Sequence, residues 1–184
     1  FAPLGTVLVA MLGIGVAEWT GLINTSLKKL LTNVNPRLMT AVVVFAGIMS
    51  NIASDAGYVV VIPLGAIVFA NAGRHPLAGL AAAFAGVSGG FSANLVLGTT
   101  DPLLTGITIE ALHNAGMDIP LDPTCNWYFM MASTVLLTIV GTLVTEKIVE
   151  KNLGEYHGTY KPDNMPVSPE ETQGLKRAGI SILI

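Results

Sequence analysis

Charge is scarce in this sequence. Only 11% of its 184 residues are Asp, Glu, Lys or Arg, against 52% hydrophobic residues, whereas a soluble domain carries about a quarter charged residues. With a mean hydropathy of +0.65, this shortage excludes an ordinary soluble globule and indicates an integral membrane protein. The net charge of −3 comes without a basic cluster, so no nucleic-acid partner is expected and charge serves mainly to set orientation in the lipid bilayer. One cysteine, Cys125, permits no intrachain disulfide. Metal-ligand clusters and a nucleophile elbow are also missing, and Gly89-Gly90 lacks the lysine and spacing of a phosphate-binding loop. No cofactor is expected. Phe1-Ala2-Pro3-Leu4 has no initiator Met, basic n-region or cleavage pattern, and Gly179 to Ile184 reads as the opening of another apolar helix, so the chain is expected to be a fragment.

Long uninterrupted apolar runs are few. Residues 1–24 form one expected transmembrane helix, with Gly13, Ala17 and Gly21 on one face for close helix packing and Glu18-Trp19 near its far end. Residues 25–37 alternate Leu27, Leu30, Leu31 and Val34 with Lys28, Lys29, Asn33 and Asn35, the pattern of a helix lying in the interface. Residues 127–145 are a second clear span, entered through Trp127 and Tyr128. An external loop is expected over 113–126 and a cytoplasmic linker over 146–167. The start of a further helix follows at 168–184, opened by the capping box Ser168-Pro169-Glu170-Glu171.

Two stretches reach membrane depth and break there. Residues 38–70 hold two apolar arms of about 12 to 14 residues around the polar tip Ser50-Asn51-Ile52-Ala53-Ser54-Asp55-Ala56-Gly57, and a spanning helix needs roughly 17 to 25. Residues 77–112 start small and apolar but are interrupted by Ser88-Gly89-Gly90-Phe91-Ser92-Ala93-Asn94, which disfavours a helix interior. Charge decides how the first stretch sits. Lys28, Lys29 and Arg37 precede it and Arg74 follows it, so both ends prefer the cytoplasm. A single crossing would put Arg74 and Lys147/Lys151 outside and the acidic 98–126 region, which has no Lys or Arg, inside. A re-entrant hairpin satisfies every loop. The fold class expected is therefore an all-α integral membrane protein with transmembrane helices, a re-entrant hairpin and a broken helix.

Irregular backbone at such depth must be buried in protein or line a watery cavity, and helix ends meeting there present N–H groups to anions and carbonyls to cations. Asp55 is the sharpest candidate, because an ionised carboxylate near the bilayer centre costs roughly 2.5 to 3.5 kcal/mol unless paired, protonated or cation-bound. It can equally cap the second arm. Asn51 and Asn94 can bind a cation such as sodium together with Asp55, donate to a substrate carboxylate, or satisfy helix ends. Ser54, Ser88 and Ser92, with the Gly89-Gly90 backbone, are weaker candidates. Asp101, after Thr99-Thr100, is placed at the outer end of the broken helix as site or cap. Pro63 is expected to kink the second arm, and His75, His113 and His157 read as loop residues.

Phe1-Ala2-Pro3-Leu4-Gly5-Thr6, Ala53-Ser54-Asp55-Ala56-Gly57-Tyr58, Gly73-Arg74-His75-Pro76-Leu77-Ala78-Gly79 and Gly86 to Leu95 resemble the AbgT family of bacterial transporters. The resemblance implies an inner-membrane homodimer built from inverted repeats, of which this chain holds the first. It also implies p-aminobenzoyl-glutamate uptake or sulfonamide export, as symporter or antiporter, driven by a proton or sodium gradient. The family's tip and helix-break polar positions fall here on Asn51, Asp55 and Asn94. The substrate would be a small anionic aromatic molecule, and the hairpin unit would move against a scaffold containing the first and last spans. A carboxylate transporter of the same architecture is the near alternative. An intramembrane hydrolase pairing Asp55 with Asp101 is the distant one, and a channel a third.

Overall fold

The structure, a computed structural model, describes residues 38–53, 57–98, 100–158 and 167–182, with scattered positions before them (5, 8, 12, 16, 19–22, 25, 26, 29 and 35). All regular structure among the described residues is helical. The helices are α1 Met39–Met49, α2 Ile62–Asn71, α3 Pro76–Gly89, α4 Thr100–Asn114, α5 Trp127–Val144, α6 Glu150–Leu153 and α7 Pro169–Ile182. Gly5, Leu8, Leu12, Val16 and Trp19 carry helical backbone. The rest of the first span and most of the interfacial helix lie outside the described residues.

Val42, Val43 and Val44 are weak helix formers in water. Within lipid, however, a helix is the way for a single segment to satisfy its own N–H and C=O groups. The first arm is α1 followed by a 3-10 turn, Ser50–Ala53, and the second is a π-helical turn, Gly57–Val61, running into α2. Pro63 sits in the first turn of α2. A proline has no N–H to donate and its ring crowds the carbonyl one turn back, so the widened π turn ahead of it absorbs what was expected to be a kink. Met39–Ile52, Gly57–Asn71 and Pro76–Gly89 each fall within 10–17 residues. At 1.5 Å per residue that is about 15 to 26 Å, short of a hydrocarbon core of about 30 Å.

Both arms seat on α3, whose buried face is Ala78, Gly79, Ala82, Ala83, Gly86 and Val87. A Cβ on Gly47 would stand 2.8 Å from the Ala83 carbonyl oxygen and 3.0 Å from Gly86 Cα. On the other arm, a Cβ on Gly65 would stand 2.8 Å from the Gly79 carbonyl. The backbones therefore touch, as small residues permit. Between apolar helices in lipid such packing, rather than expulsion of water, supplies the attraction.

One helix among the described residues is long enough to cross a membrane. Trp127–Leu153 covers 27 residues, about 40 Å, formed by α5, the π turn Thr145–Val149 and α6. It outruns the expected 127–145 span because Glu146 and Glu150 find partners on the hairpin. Gly154, at φ 71°, ends it in the left-handed conformation glycine adopts freely. Thr134, Thr138 and Thr142 each donate to the carbonyl four residues back, at 2.6 to 2.9 Å, so their hydroxyls stay satisfied in apolar surroundings. The capping box at α7 forms as the sequence suggests: Ser168 N donates to Glu171 Oε2 at 2.7 Å and Glu171 N to Ser168 Oγ at 3.0 Å.

Candidate functional site

The two polar breaks meet. Asn51, in the 3-10 turn that closes the first arm, points its amide at the carbonyl end of α3. Its Nδ2 donates to Ile48 O and to Val87 O, each at 3.1 Å. The second bond crosses from hairpin tip to broken helix. The Oδ1 of the same side chain is buried without a hydrogen-bond partner, an arrangement that costs about 1 to 3 kcal/mol unless something fills it. Ser50, fully buried, donates to Gly47 O at 2.6 Å, and Gly57 lies directly against its side chain. Tyr58 stands edge-on to Phe84, ring centroids 6.2 Å apart, with its hydroxyl 3.4 Å from Ser88 Oγ.

The break itself begins after Gly89, so Ser88 and Gly89 remain helical. Gly90 is packed on Ile48, leaving no room for a side chain. Ser92 is exposed and faces neither arm's buried side. Asn94 is buried, but its Oδ1 accepts from the adjacent Leu95 N at 3.0 Å, which makes it a satisfier of the break. Asp101 is drawn back toward the tip: its Oδ2 accepts from Gly98 N at 2.7 Å. A Cβ on Gly98 would lie 3.7 Å from that carboxylate oxygen and 4.0 Å from Asn51 O. Gly98, whose N–H Asp101 accepts, therefore lies beside the Asn51 backbone. Ser54 and Asp55 lie outside the described residues.

Of the three residues expected to hold sodium, then, Asn51 presents a buried, unpartnered carbonyl-type oxygen, which suits a hard cation, and Asn94 has its oxygen engaged. Among the described residues no group of three or more His, Cys, Asp and Glu is placed to hold a metal ion. Gly98, Tyr58 and Trp127 were not singled out from the sequence as site residues. Trp127, expected only as an interfacial anchor, donates its indole N–H to Leu95 O at 2.9 Å and ties the break to the long helix. Nothing in its local sequence signals a partner 32 residues away.

At the opposite end, Arg74 forms a bidentate pair with Glu150, Nε to Oε1 at 2.7 Å and Nη2 to Oε2 at 2.6 Å. Its Nη2 also lies 3.7 Å from Glu146 Oε1. The guanidinium sits 4.3 Å from the centre of the Phe69 ring. Glu146 accepts from Thr40 Oγ1 at 2.7 Å. His75, expected in a solvated loop, caps α3 by accepting from Leu77 N at 3.3 Å and stands edge-on to Tyr156.

Short apolar arms, a break after the third helix and a polar junction between them are features of a membrane transporter. The family model described as "AbgT putative transporter family" matches residues 1–184, and the chain belongs to this family, whose members are transporters and not enzymes. It is 44% identical over 184 residues to the p-aminobenzoyl-glutamate transport protein of Escherichia coli strain K12, covering all of this chain and 36% of that protein. Among solved structures it is similar to the Alcanivorax borkumensis YdaH transporter, with a TM-score of 0.89 and 43% identity over all of this chain and 38% of that one. It is also similar to Neisseria gonorrhoeae MtrF, from a class described as antimetabolite efflux pumps, with a TM-score of 0.89 and 52% identity over all of this chain and 37% of that one. The chain thus spans little more than a third of the length of these relatives.

Proposed function

We propose that the full-length protein is an ion-coupled secondary transporter of p-aminobenzoyl-glutamate, or an exporter of sulfonamide-type antimetabolites, in a bacterial inner membrane. The observation that carries this reading is the Asn51 amide, which joins the hairpin tip to the broken helix while its own Oδ1 stays buried and unpartnered. A polar junction of this kind is what a substrate or cation site at membrane depth requires. In this reading residues 38–70 enter and leave on one side as a re-entrant hairpin, and an inverted second repeat completes the site within a homodimer. Asn51, Ser54, Asp55 and Asp101, with Ser88, Gly89, Gly90, Ser92 and Asn94 behind them, form this chain's half of the site. Sodium or a proton is the coupling ion, and an anionic aromatic substrate takes the donors left by the helix ends. Symport would serve uptake and antiport would serve export.

The test is gradient-driven flux of p-aminobenzoyl-glutamate and of a sulfonamide in liposomes carrying the full-length protein, with Asp55→Asn alongside. Loss of coupled flux in a folded Asp55→Asn protein supports a cation or proton site at the tip. Unchanged flux assigns Asp55 to helix capping and moves the site toward Asn94, Asp101 and the other repeat. Saturable flux that depends on the ion gradient excludes a channel.

A further inference from the structure

Both ends of the hairpin are tied to one place on the long helix. Thr40, in the first turn of α1 and fully buried, donates to Glu146. Arg74, three residues beyond the end of α2, pairs with Glu150 and reaches Glu146. Glu146 and Glu150 are four residues apart, on one face of the continuous helix Trp127–Leu153. Their like charges would repel each other, but the guanidinium between them removes that penalty. The Arg74 and Glu150 side chains are each only 22% exposed, so the pair is bidentate and partly shielded, the geometry in which an ion pair fixes position. Arg74 has no hydrogen bond or ion pair to a candidate site residue among the described residues.

We propose that Arg74 is a positioning residue for the tip. By holding the start and end of the hairpin on one helix, the Thr40–Glu146–Arg74–Glu150 network sets how far the first arm reaches along α3. It thereby sets whether Asn51 meets Val87 O. Rigid helical arms transmit a shift at the base to the tip about 20 Å away, where a displacement of about 1 Å is enough to break a hydrogen bond and degrade a site. This inference rests on the transporter reading. It differs from the expectation that the hairpin moves against the last span, because here the two are bonded at the base.

The structure offers a way to replace the network without charge. The Cβ position of Gly141 on α5 lies 3.7 Å from Val44 Cβ on α1, within the range of a disulfide, and Val44→Cys removes the Cγ1 that would crowd it at 2.9 Å. In the full-length protein with its other cysteines replaced by serine, p-aminobenzoyl-glutamate flux is measured for Arg74→Met with and without Val44→Cys/Gly141→Cys, oxidised and reduced. Arg74→Met is expected to raise the half-saturating substrate concentration about fivefold, Arg74→Lys less, and the oxidised disulfide to bring it back within about twofold until reductant is added. An unchanged half-saturation in Arg74→Met overturns the proposal, as does failure of the disulfide to restore it. Where Arg74→Met does not reach the membrane, Glu150→Gln carries the same expectation. A second readout needs no transport: Ala93→Cys, at a position 2% exposed beside the tip, should react faster with maleimide in Arg74→Met and slow again with the disulfide. If the wild type carries neither p-aminobenzoyl-glutamate nor a sulfonamide, the transport reading fails while this labelling still decides the role of Arg74.

Discussion

The hairpin is held differently at its two ends. At the base, charges are paired: Arg74 is matched by Glu150 and Glu146, and Glu146 also by the Thr40 hydroxyl. At the tip, the described contacts between the first arm and the third helix are neutral, made by the Asn51 amide and by glycine-to-backbone packing, and one buried oxygen is left over. A satisfied network fixes geometry and has no capacity for a ligand. An incompletely satisfied one keeps that capacity, at a cost in stability that the packing behind it must offset. The base therefore reads as support and the tip as site.

Removing the packing that the tip leans on should have the largest effect. Gly86 lies directly against the Val44 carbonyl, so Gly86→Val forces α1 off α3 and should destabilise the protein by about 3 kcal/mol. Thermal unfolding in detergent checks this, and an unchanged melting temperature would mean that the arms do not touch α3 there. A double-mutant cycle on Arg74 and Glu150 probes the base. A coupling of about 1 kcal/mol is expected, falling as salt is raised; a coupling of zero would remove the asymmetry between the ends. The smallest effect belongs to a carboxylate at neither end. Asp122 accepts from Thr124 Oγ1 at 2.6 Å and Thr124 N at 2.8 Å. The Thr124 side-chain hydroxyl first, then its backbone N–H, hold the carboxyl below its ordinary value of 3.8. A depressed folded value means this turn's contribution is present above pH 3.8 and is lost as pH falls below it through the lowered value. Asp122→Asn should therefore lose that small contribution at neutral pH and show no further loss on acidification, read by amide hydrogen exchange at Thr124.

Much of this architecture was legible in the sequence because its signals are local. Arms too short to span, the run Ser88 to Asn94 and the Ser168–Glu171 capping box each follow from a few adjacent residues. What escaped depends on tertiary contact. Nothing in the sequence around Gly98 announces that it packs beside the Asn51 backbone, three residues ahead of Asp101. Arg74 and Lys147 were read as orientation charges, and the same positive-inside count that orients the hairpin is silent on Glu150 as a partner. The apolar pattern marks a span over 127–145, and it does not show that the helix itself continues past Glu146 to Leu153. Of the candidate site, Asn51 is legible as a candidate from its place at the tip, whereas the burial of its Oδ1 is visible only in the packed structure.

The most direct measurement is the cation dependence of p-aminobenzoyl-glutamate flux in full-length protein carrying Asn51→Ala, with thermal unfolding run on the same sample. The substitution removes both the bond to Val87 O and the unpartnered oxygen, so relief of the second offsets loss of the first; stability should change by no more than about 1 kcal/mol while cation-driven flux falls about tenfold or more. A folded Asn51→Ala protein whose flux responds to sodium and pH as the wild type does would contradict the account, because the junction of the two breaks would then hold the fold together without serving transport.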